Sequence, residues 1–180
     1  MSNNLYIAAS EKEAGKSMIV LGVMDFLSRH IQNVGFFRPI VGSSTKVDNH
    51  ISLVTKRYNL DLKYEEQYGL TVSEMAKFIH DNDGDGIHQV ILQKYKALER
   101  KCNFILVEGS DFRDHLSAYE FNFNLRVANN LGCPIIGVVS GVRKSLDEIA
   151  NSLQIMRNVM ETENCTSIGM VVNRANPSNL

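Results

Sequence analysis

The fold is decided near the N-terminus by the stretch Ser10-Glu11-Lys12-Glu13-Ala14-Gly15-Lys16-Ser17. It fits the phosphate-loop pattern G-x-x-x-x-G-K-[ST], except that Ser10 stands where the first glycine belongs. In such a loop, backbone amides and the N-terminus of the following helix hold phosphate, the lysine neutralises its charge and the hydroxyl binds Mg²⁺. The eight residues are therefore a candidate site for ATP and Mg²⁺. The alternative is an ordinary strand-to-helix turn with a solvated lysine.

Around this loop, short apolar runs alternate with longer segments of helical periodicity. The apolar runs, each predicted to be a strand, are residues 5–9, 34–38, 104–107, 134–139 and 168–172. The last two are apolar on both faces, which indicates strands of a parallel sheet covered by helices on both sides. We therefore predict a three-layer α/β/α fold with a mainly parallel sheet of at least five strands, as in phosphate-loop NTPases.

Helix boundaries can also be predicted from the sequence. Periodicity predicts helices at residues 17–31, 87–101 and 122–131. Capping boxes at 71–74 and 145–148, each with a hydroxyl residue followed three positions later by Glu, predict two further helix starts. Gly132, just before Pro134, is typical of a helix C-cap.

The composition fits a single domain spanning residues 1–180 and excludes some partners. With 19 Lys plus Arg against 20 Asp plus Glu, the formal net charge of -1 provides no broad attraction to nucleic acid or to an anionic membrane. We expect a cytoplasmic protein, because no basic leader and no uncharged apolar run of roughly 18 residues is visible. Cys102, Cys133 and Cys165 are far apart and are predicted to be free thiols.

Three residues outside the loop are further candidates for the site. Glu108 ends a buried strand, where an acid can hold the metal of a phosphate loop, although it could also be solvated or cap a helix. Asp48 is either a second Mg²⁺ partner or the N-cap of the helix that follows. Asn173 ends the last strand, where its carboxamide could bind a nucleobase edge or stabilise the following turn.

Two other patterns favour structural roles. Residues 81–86 imitate the first half of a calcium loop, but position twelve is Leu92 instead of a bidentate Glu, so a polar turn between two helices is predicted. The five histidines, His50 among them, lack the spacing of a helical zinc site and are interpreted as surface or cap residues.

Several ordered motifs together resemble the dethiobiotin synthetase-like branch of phosphate-loop proteins. They are the loop with Ala9 before it, Phe37-Arg38-Pro39-Ile40, Val107-Glu108-Gly109 and Val171-Val172-Asn173-Arg174. Proteins of the MinD and ParA type are similar to this branch but carry a signature lysine four residues before the loop glycine. This sequence has Glu11 at that place.

Nearly the whole chain is similar to the N-terminal domain of long bacterial phosphate acetyltransferases. The motifs are residues 35–40, 48–51, 95–99 and 107–112. The resemblance implies that acetyl-CoA plus phosphate and acetyl phosphate plus CoA are interconverted by a separate C-terminal acetyltransferase domain of the same chain. For this domain it implies control by metabolite effectors and assembly into a homo-oligomer, with no catalytic residue of its own.

The sequence departs from the synthetase pattern at the expected substrate side. Dethiobiotin synthetases have a lysine after the second strand that engages the substrate, whereas this chain has Arg38. Arg38 is a further cofactor-binding candidate, because its guanidinium holds charge and binds anions, but its geometry differs from that of a compact ammonium. Ser110-Asp111-Phe112 fill a place that is glycine-rich in the synthetases. Three hypotheses stay open: a regulatory and assembly module with an ATP site that has lost its reaction, a free-standing ATP-dependent ligase, and a switch ATPase.

Overall fold

A parallel sheet forms the centre of the computed structural model, which describes residues 3–43, 45–111 and 117–176. In these residues the sheet has six strands in the order β3-β2-β4-β1-β5-β6, and all five strand pairs are parallel. The strands are β1 (Asn4–Ala9), β2 (Val34–Val41), β3 (Tyr68–Thr71), β4 (Phe104–Glu108), β5 (Ile135–Ser140) and β6 (Ser167–Asn173).

Helices cover both faces of the sheet. They are α1 (Lys16–His30), α2 (Asn49–Tyr58), α3 (Val72–His80), α4 (Gly84–Glu99), α5 (Ser117–Leu131) and α6 (Leu146–Thr162), with a 3₁₀ turn at Tyr64–Glu66. The apolar residues of α1 and α2 pack on one face, and those of α3 to α6 pack on the other. From β1 the chain moves through α1 and α2 to β2 and β3 at one edge of the sheet, and it then moves in the opposite direction to β4, β5 and β6. Because crossovers between parallel strands are right-handed, this reversal places the later helices on the opposite face.

The predicted three-layer architecture is confirmed, with one additional strand. The five predicted strands are present, but β3 was not predicted because its four residues, Tyr68-Gly69-Leu70-Thr71, form too short an apolar run. The predicted end of β2 at residue 38, before Pro39, is wrong, since β2 continues to Val41. Pairing of β2 with β4 stops at Phe37, so the missing amide of Pro39 removes no hydrogen bond on that side.

The predicted helix ends are also found. Thr71 and Ser145 cap α3 and α6, each in a capping box with the Glu three residues later. Gly132 follows α5 with φ 65°, the left-handed conformation expected of a C-cap. The polar turn between α3 and α4 is confirmed, and Asp83 caps α4 by accepting from the amide of Gly86.

The two edges of the sheet differ in burial. Strands β1 to β5 are buried almost throughout, whereas β6 is an edge strand whose first four residues are exposed. Ile168 and Met170 in β6 are 59% and 37% exposed. Within the described part of the chain, no helix has the length and apolar character needed to cross a membrane.

Candidate functional site

The residues singled out from the sequence lie at the carboxyl ends of the strands. The helices that follow β1 and β4 lie on opposite faces of the sheet, which leaves a crevice between the two strand ends. Open parallel sheets bind ligands in such crevices. The phosphate-loop residues follow β1, and Glu108 to Asp111 lie at the end of β4, so the two groups meet at this crevice.

The loop backbone explains why Ser10 is tolerated in place of glycine. Positive φ angles occur at Glu13 (56°) and Gly15 (78°) but not at Ser10. A Cβ atom at Gly15 would clash with Nδ2 of Asn173, so a glycine is needed at this position for space as well as for conformation. The steric requirement for glycine therefore lies at residue 15, directly before α1.

The lysine of the loop is held by an acid from the end of β4. Lys16 is only 5% exposed, and its Nζ donates to the carbonyl oxygen of Gly109 and to Oδ1 of Asp111, the latter at 2.7 Å. Asp111 is 52% exposed. A carboxylate of the protein thus contacts the ammonium group that would otherwise meet a phosphate oxygen.

Arg38 lies among three carboxylates. Its Nη1 is 2.5 Å from Oδ2 of Asp48, its Nε is 3.8 Å from Oε2 of Glu108, and its Nη2 is 4.0 Å from Oδ2 of Asp111. Burial would lower the pKa of Arg38, but the charges of Glu108 and Asp48 outweigh burial and raise it. Among the described residues, Nε of Arg38 is buried without a hydrogen-bond partner. The guanidinium is therefore charged and fixed between these acids.

His50 is part of the site, contrary to the prediction of a surface or cap residue. Its Nδ1 lies 2.9 and 3.0 Å from the two carboxylate oxygens of Glu108, which is fully buried. The hydrogen bond to Glu108 raises the pKa of His50 above its ordinary value. The Ser17 hydroxyl lies 3.4 Å from both groups. Because Ser17 and Glu108 approach the same ring nitrogen, the three do not form a nucleophilic relay, which needs both nitrogens.

Asp48 is the N-cap of α2, which confirms one of its two interpretations. Its Oδ1 accepts from the amides of His50 and Ile51, while Oδ2 accepts from Arg38. Burial would raise the pKa of Asp48, but the charge and hydrogen bond of Arg38 outweigh it and lower the pKa. Both oxygens of Asp48 therefore already have hydrogen-bond partners within the protein. The role of Asp48 as a Mg²⁺ partner stays a prediction.

Two further predicted residues tie the loop to neighbouring strands. Asn173 donates from Nδ2 to the carbonyl oxygen of Ala14 at 2.8 Å, so its carboxamide contacts the loop backbone. Glu11, at the place of the signature lysine of MinD-type proteins, accepts from Nζ of Lys144 at 2.6 Å and from the amide of Ser140 at 3.1 Å. These contacts connect the phosphate loop to the ends of β5 and β6.

Asn124 of α5 organises the end of β4. Its Oδ1 accepts from the amide of Ser110 and from the Tyr6 hydroxyl, and its Nδ2 donates to the carbonyl oxygen of Ser110. The Ser110 hydroxyl accepts from the amide of Ile40 in β2. Side chains thus fill the space that is glycine-rich in the synthetases, while Phe112 of the same motif lies outside the described residues.

The donor set partly fits a divalent cation. The Ser17 hydroxyl and the Glu108 carboxylate are hard oxygen ligands of the kind that Mg²⁺ prefers, and Ser17 Oγ lies 3.4 Å from Oε1 of Glu108. However, no group of three or more His, Cys, Asp or Glu side chains in the described ranges is arranged to hold a metal ion. A bound Mg²⁺ would therefore need phosphate oxygens and water to complete its shell.

Comparisons with known proteins agree with this geometry. A phosphate acetyltransferase of Nitratidesulfovibrio vulgaris is 39% identical over 97% of this chain, and one of Synechocystis is 32% identical over 98%. The chain spans about a quarter of the length of these relatives, namely 25% and 26%, and corresponds to their N-terminal part. An ATP-dependent dethiobiotin synthetase BioD of Clostridium kluyveri is 26% identical over 61% of this chain and 49% of its own length.

A solved structure and a family model complete the comparison. The BceF tyrosine kinase domain superposes with a TM-score of 0.54 over 97% of this chain and 69% of its own, at 11% identity, which shows a shared fold alone. The family model described as AAA domain matches residues 3–179. With its phosphate loop between β1 and α1 and nearly its whole length matched, the chain belongs to the AAA domain family.

Proposed function

We propose that this chain is a regulatory and assembly domain of a phosphate acetyltransferase and that acyl transfer takes place elsewhere in the polypeptide. The observation that carries the proposal is the match to only a quarter of each acetyltransferase relative, at up to 39% identity over nearly all of this chain. In this reading the partners are the C-terminal acetyltransferase domain, metabolite effectors and other copies of the chain.

The site supports binding more than catalysis. Lys16 and Ser17 stand at the start of α1, where helix amides favour a phosphate group. Lys16 is already paired with Asp111, however, and the charged groups at the β4 end are bonded to one another. A phosphate-bearing ligand would bind by replacing an existing contact, which suits a sensor whose occupancy changes with metabolite concentration.

A nucleotide with Mg²⁺ is one ligand that the site could hold. The Ser17 hydroxyl and Glu108 would face the cation, Lys16 would contact phosphate, and Arg38 would add positive charge beside it. Mg²⁺ supplies charge neutralisation of the phosphates in sites of this kind. The contact of Asn173 with Ala14 would fix the loop backbone at the position where the phosphates lie.

Two measurements on the isolated chain test the proposal. We expect no synthesis of acetyl phosphate from acetyl-CoA and phosphate, and turnover in the range typical of enzymes, roughly 1–10³ per second, would overturn it. Calorimetric titration with Mg²⁺-ATP, acetyl-CoA, NADH and pyruvate should show saturable binding of at least one. Binding of a phosphate-bearing ligand should weaken in Lys16→Ala. An absence of binding by all four would equally contradict a regulatory role.

A free-standing ligase is the second candidate, because the BioD relative matches 61% of this chain. Such a ligase forms a carbamate from an amine and CO₂ and then phosphorylates it, which requires a positioned cation at the carbamate. Arg38 is held by Asp48 at 2.5 Å, and a displacement of about 1 Å can cost on the order of a hundredfold in rate. We therefore expect no dethiobiotin from 7,8-diaminopelargonate, bicarbonate and Mg²⁺-ATP, in the unmodified chain or in Arg38→Lys. Product formation would favour the ligase.

A further inference from the structure

A second cleft lies between α3, α4 and α5, on the face of the sheet opposite α1. Its volume is about 250 Å³. This is below the range of roughly 300–1,000 Å³ typical of sites for drug-sized ligands. The cleft therefore has room for a molecule of the size of one amino acid.

The inner wall of this cleft is apolar. Met75, Ile87 and Phe123 line it and are each less than a tenth exposed, and Ile79 lines its outer part at 55% exposure. A wall of this kind favours an aliphatic group, because removing apolar surface from water stabilises the complex by about 25 cal/mol per Å².

The cleft is also lined by His88, whose ring carries one unsatisfied polar atom that is closed off from solvent. In the described residues, Nδ1 of His88 is buried and has no hydrogen-bond partner. The His88 ring lies 5.7 Å from the ring of Phe123, which also lines the cleft. Burial first, and then the charge of Arg126, lowers the pKa of His88, so the imidazole is neutral at physiological pH. His88 therefore adds no charge to the lining of the cleft.

Two opposite charges complete the lining. Arg126 of α5 and Asp85 of α4 both line the cleft and both act on His88. Arg126 contacts Glu163 through Nε at 3.5 Å. Within the residues that the structure describes, no ion pair joins Arg126 to Asp85. A ligand with one positive and one negative group could therefore use both.

We propose that this cleft binds a free aliphatic α-amino acid. The carboxylate of the ligand pairs with Arg126, its ammonium group with Asp85, and its side chain packs on Ile87 and Phe123. The proposal goes beyond the proposed regulatory function, and its test measures binding alone, so its failure is distinguishable from a failure of that function.

The test is calorimetric titration of the chain with L-leucine, compared with 4-methylpentanoate and 3-methylbutylamine, which each lack one of the two charges. We expect saturable 1:1 binding of L-leucine and at least tenfold weaker binding of both analogues. Arg126→Gln and Asp85→Asn should each weaken L-leucine binding by at least tenfold, since hydrogen bonds to charged groups are lost. Ile79→Trp should abolish binding by filling the cleft.

Matched controls exist elsewhere on the surface. Arg157→Gln removes an arginine that is 63% exposed, as Arg126 is, and Ile155→Trp enlarges an isoleucine that is 55% exposed, as Ile79 is. These two variants should bind L-leucine like the unmodified chain. The proposal is overturned if L-leucine shows no saturation, if either analogue binds as tightly, or if the cleft variants behave like the controls.

Discussion

Replacing Asp111 by asparagine is expected to strengthen anion binding at the phosphate loop. In the present arrangement the Asp111 carboxylate lies 2.7 Å from Nζ of the nearly buried Lys16 and competes with any phosphate for that ammonium group. The carboxamide of the Asp111→Asn variant would be neutral and would hold Lys16 less strongly. The ligand would then displace a weaker contact, so its net binding free energy would become more favourable.

The expected size of the effect follows from the geometry of the pair. At 2.7 Å, two unit charges attract by about 1.5 kcal/mol at the dielectric constant of water and by about 6 kcal/mol at an effective value near 20. Because Asp111 is 52% exposed, solvent screening keeps the net contribution near the lower figure, about 1–2 kcal/mol. This corresponds to an affinity increase of about 5- to 30-fold for tripolyphosphate.

The assay is calorimetric titration with tripolyphosphate at fixed ionic strength, after circular dichroism has established that each variant is folded. Asp25→Asn is the matched control, because it removes an equal charge from an acid whose partner, Arg29, lies on the exposed side of α1. In the double variant Lys16→Ala/Asp111→Asn the gain should disappear. The reasoning is refuted if Asp111→Asn binds no more tightly than Asp25→Asn, and weaker binding would mean that Asp111 positions Lys16 for the ligand.

Three further predictions concern stability. The hydrogen bond to Glu108 raises the folded-state pKa of His50, so this pair stabilises the fold fully below about pH 6.5 and the contribution is lost as pH rises through the folded-state pKa. His50→Gln should therefore cost more unfolding free energy at pH 5.5 than at pH 9 in urea titrations. Gly15→Ala should destabilise by at least about 1–2 kcal/mol from its left-handed backbone, with a further cost from the contact with Asn173. Ser145→Ala should cost about 1 kcal/mol, or about 2–4 °C in Tm by calorimetry.

Each of these stability predictions has its own control. His80 is exposed and ends α3, so His80→Gln is the control, and an equal pH dependence of stability in both variants would contradict the His50 argument. Gly22→Ala lies in the middle of α1 with open space at its Cβ position and should stabilise, in contrast to Gly15→Ala. Ser152 lies within α6 and not at its start, so Ser152→Ala should cost less than Ser145→Ala if capping is the cause.

Local signals in the sequence were sufficient to predict most of the fold. Some signals involve only residues that are close in sequence, namely the phosphate-loop pattern, the two capping boxes and Gly132. Each of the turns and helix ends that they predict is present. Strand β3 was missed because it has only four residues and its apolar run is interrupted by Gly69. It is stabilised by pairing with β2 and by packing against α4, and no pattern within the segment itself reports this.

The candidate site was predictable in its parts but not in its contacts. Lys16, Arg38 and Glu108 could be identified from motifs, which lie after β1, within β2 and at the end of β4. The pairing of Lys16 with Asp111 joins residues 95 positions apart, and that of His50 with Glu108 joins residues 58 apart. Sequence spacing carries no information at that range. The position of α2 on the sheet, which brings His50 to the strand end, is set by the core contacts of Ile51 and Val54.

The place of Arg38 among three carboxylates limits how this site can change during evolution. A single replacement of Arg38 by lysine leaves one compact ammonium group to serve Asp48, Glu108 and Asp111, which no longer share a forked donor. Loss of any one of these carboxylates removes a negative charge from beside the buried guanidinium of Arg38. A lineage that moved between this arrangement and one with a lysine at residue 38 would therefore need linked substitutions at 48 or 111. Substitutions at residues 38, 48 and 111 are therefore expected to occur together and not independently of one another.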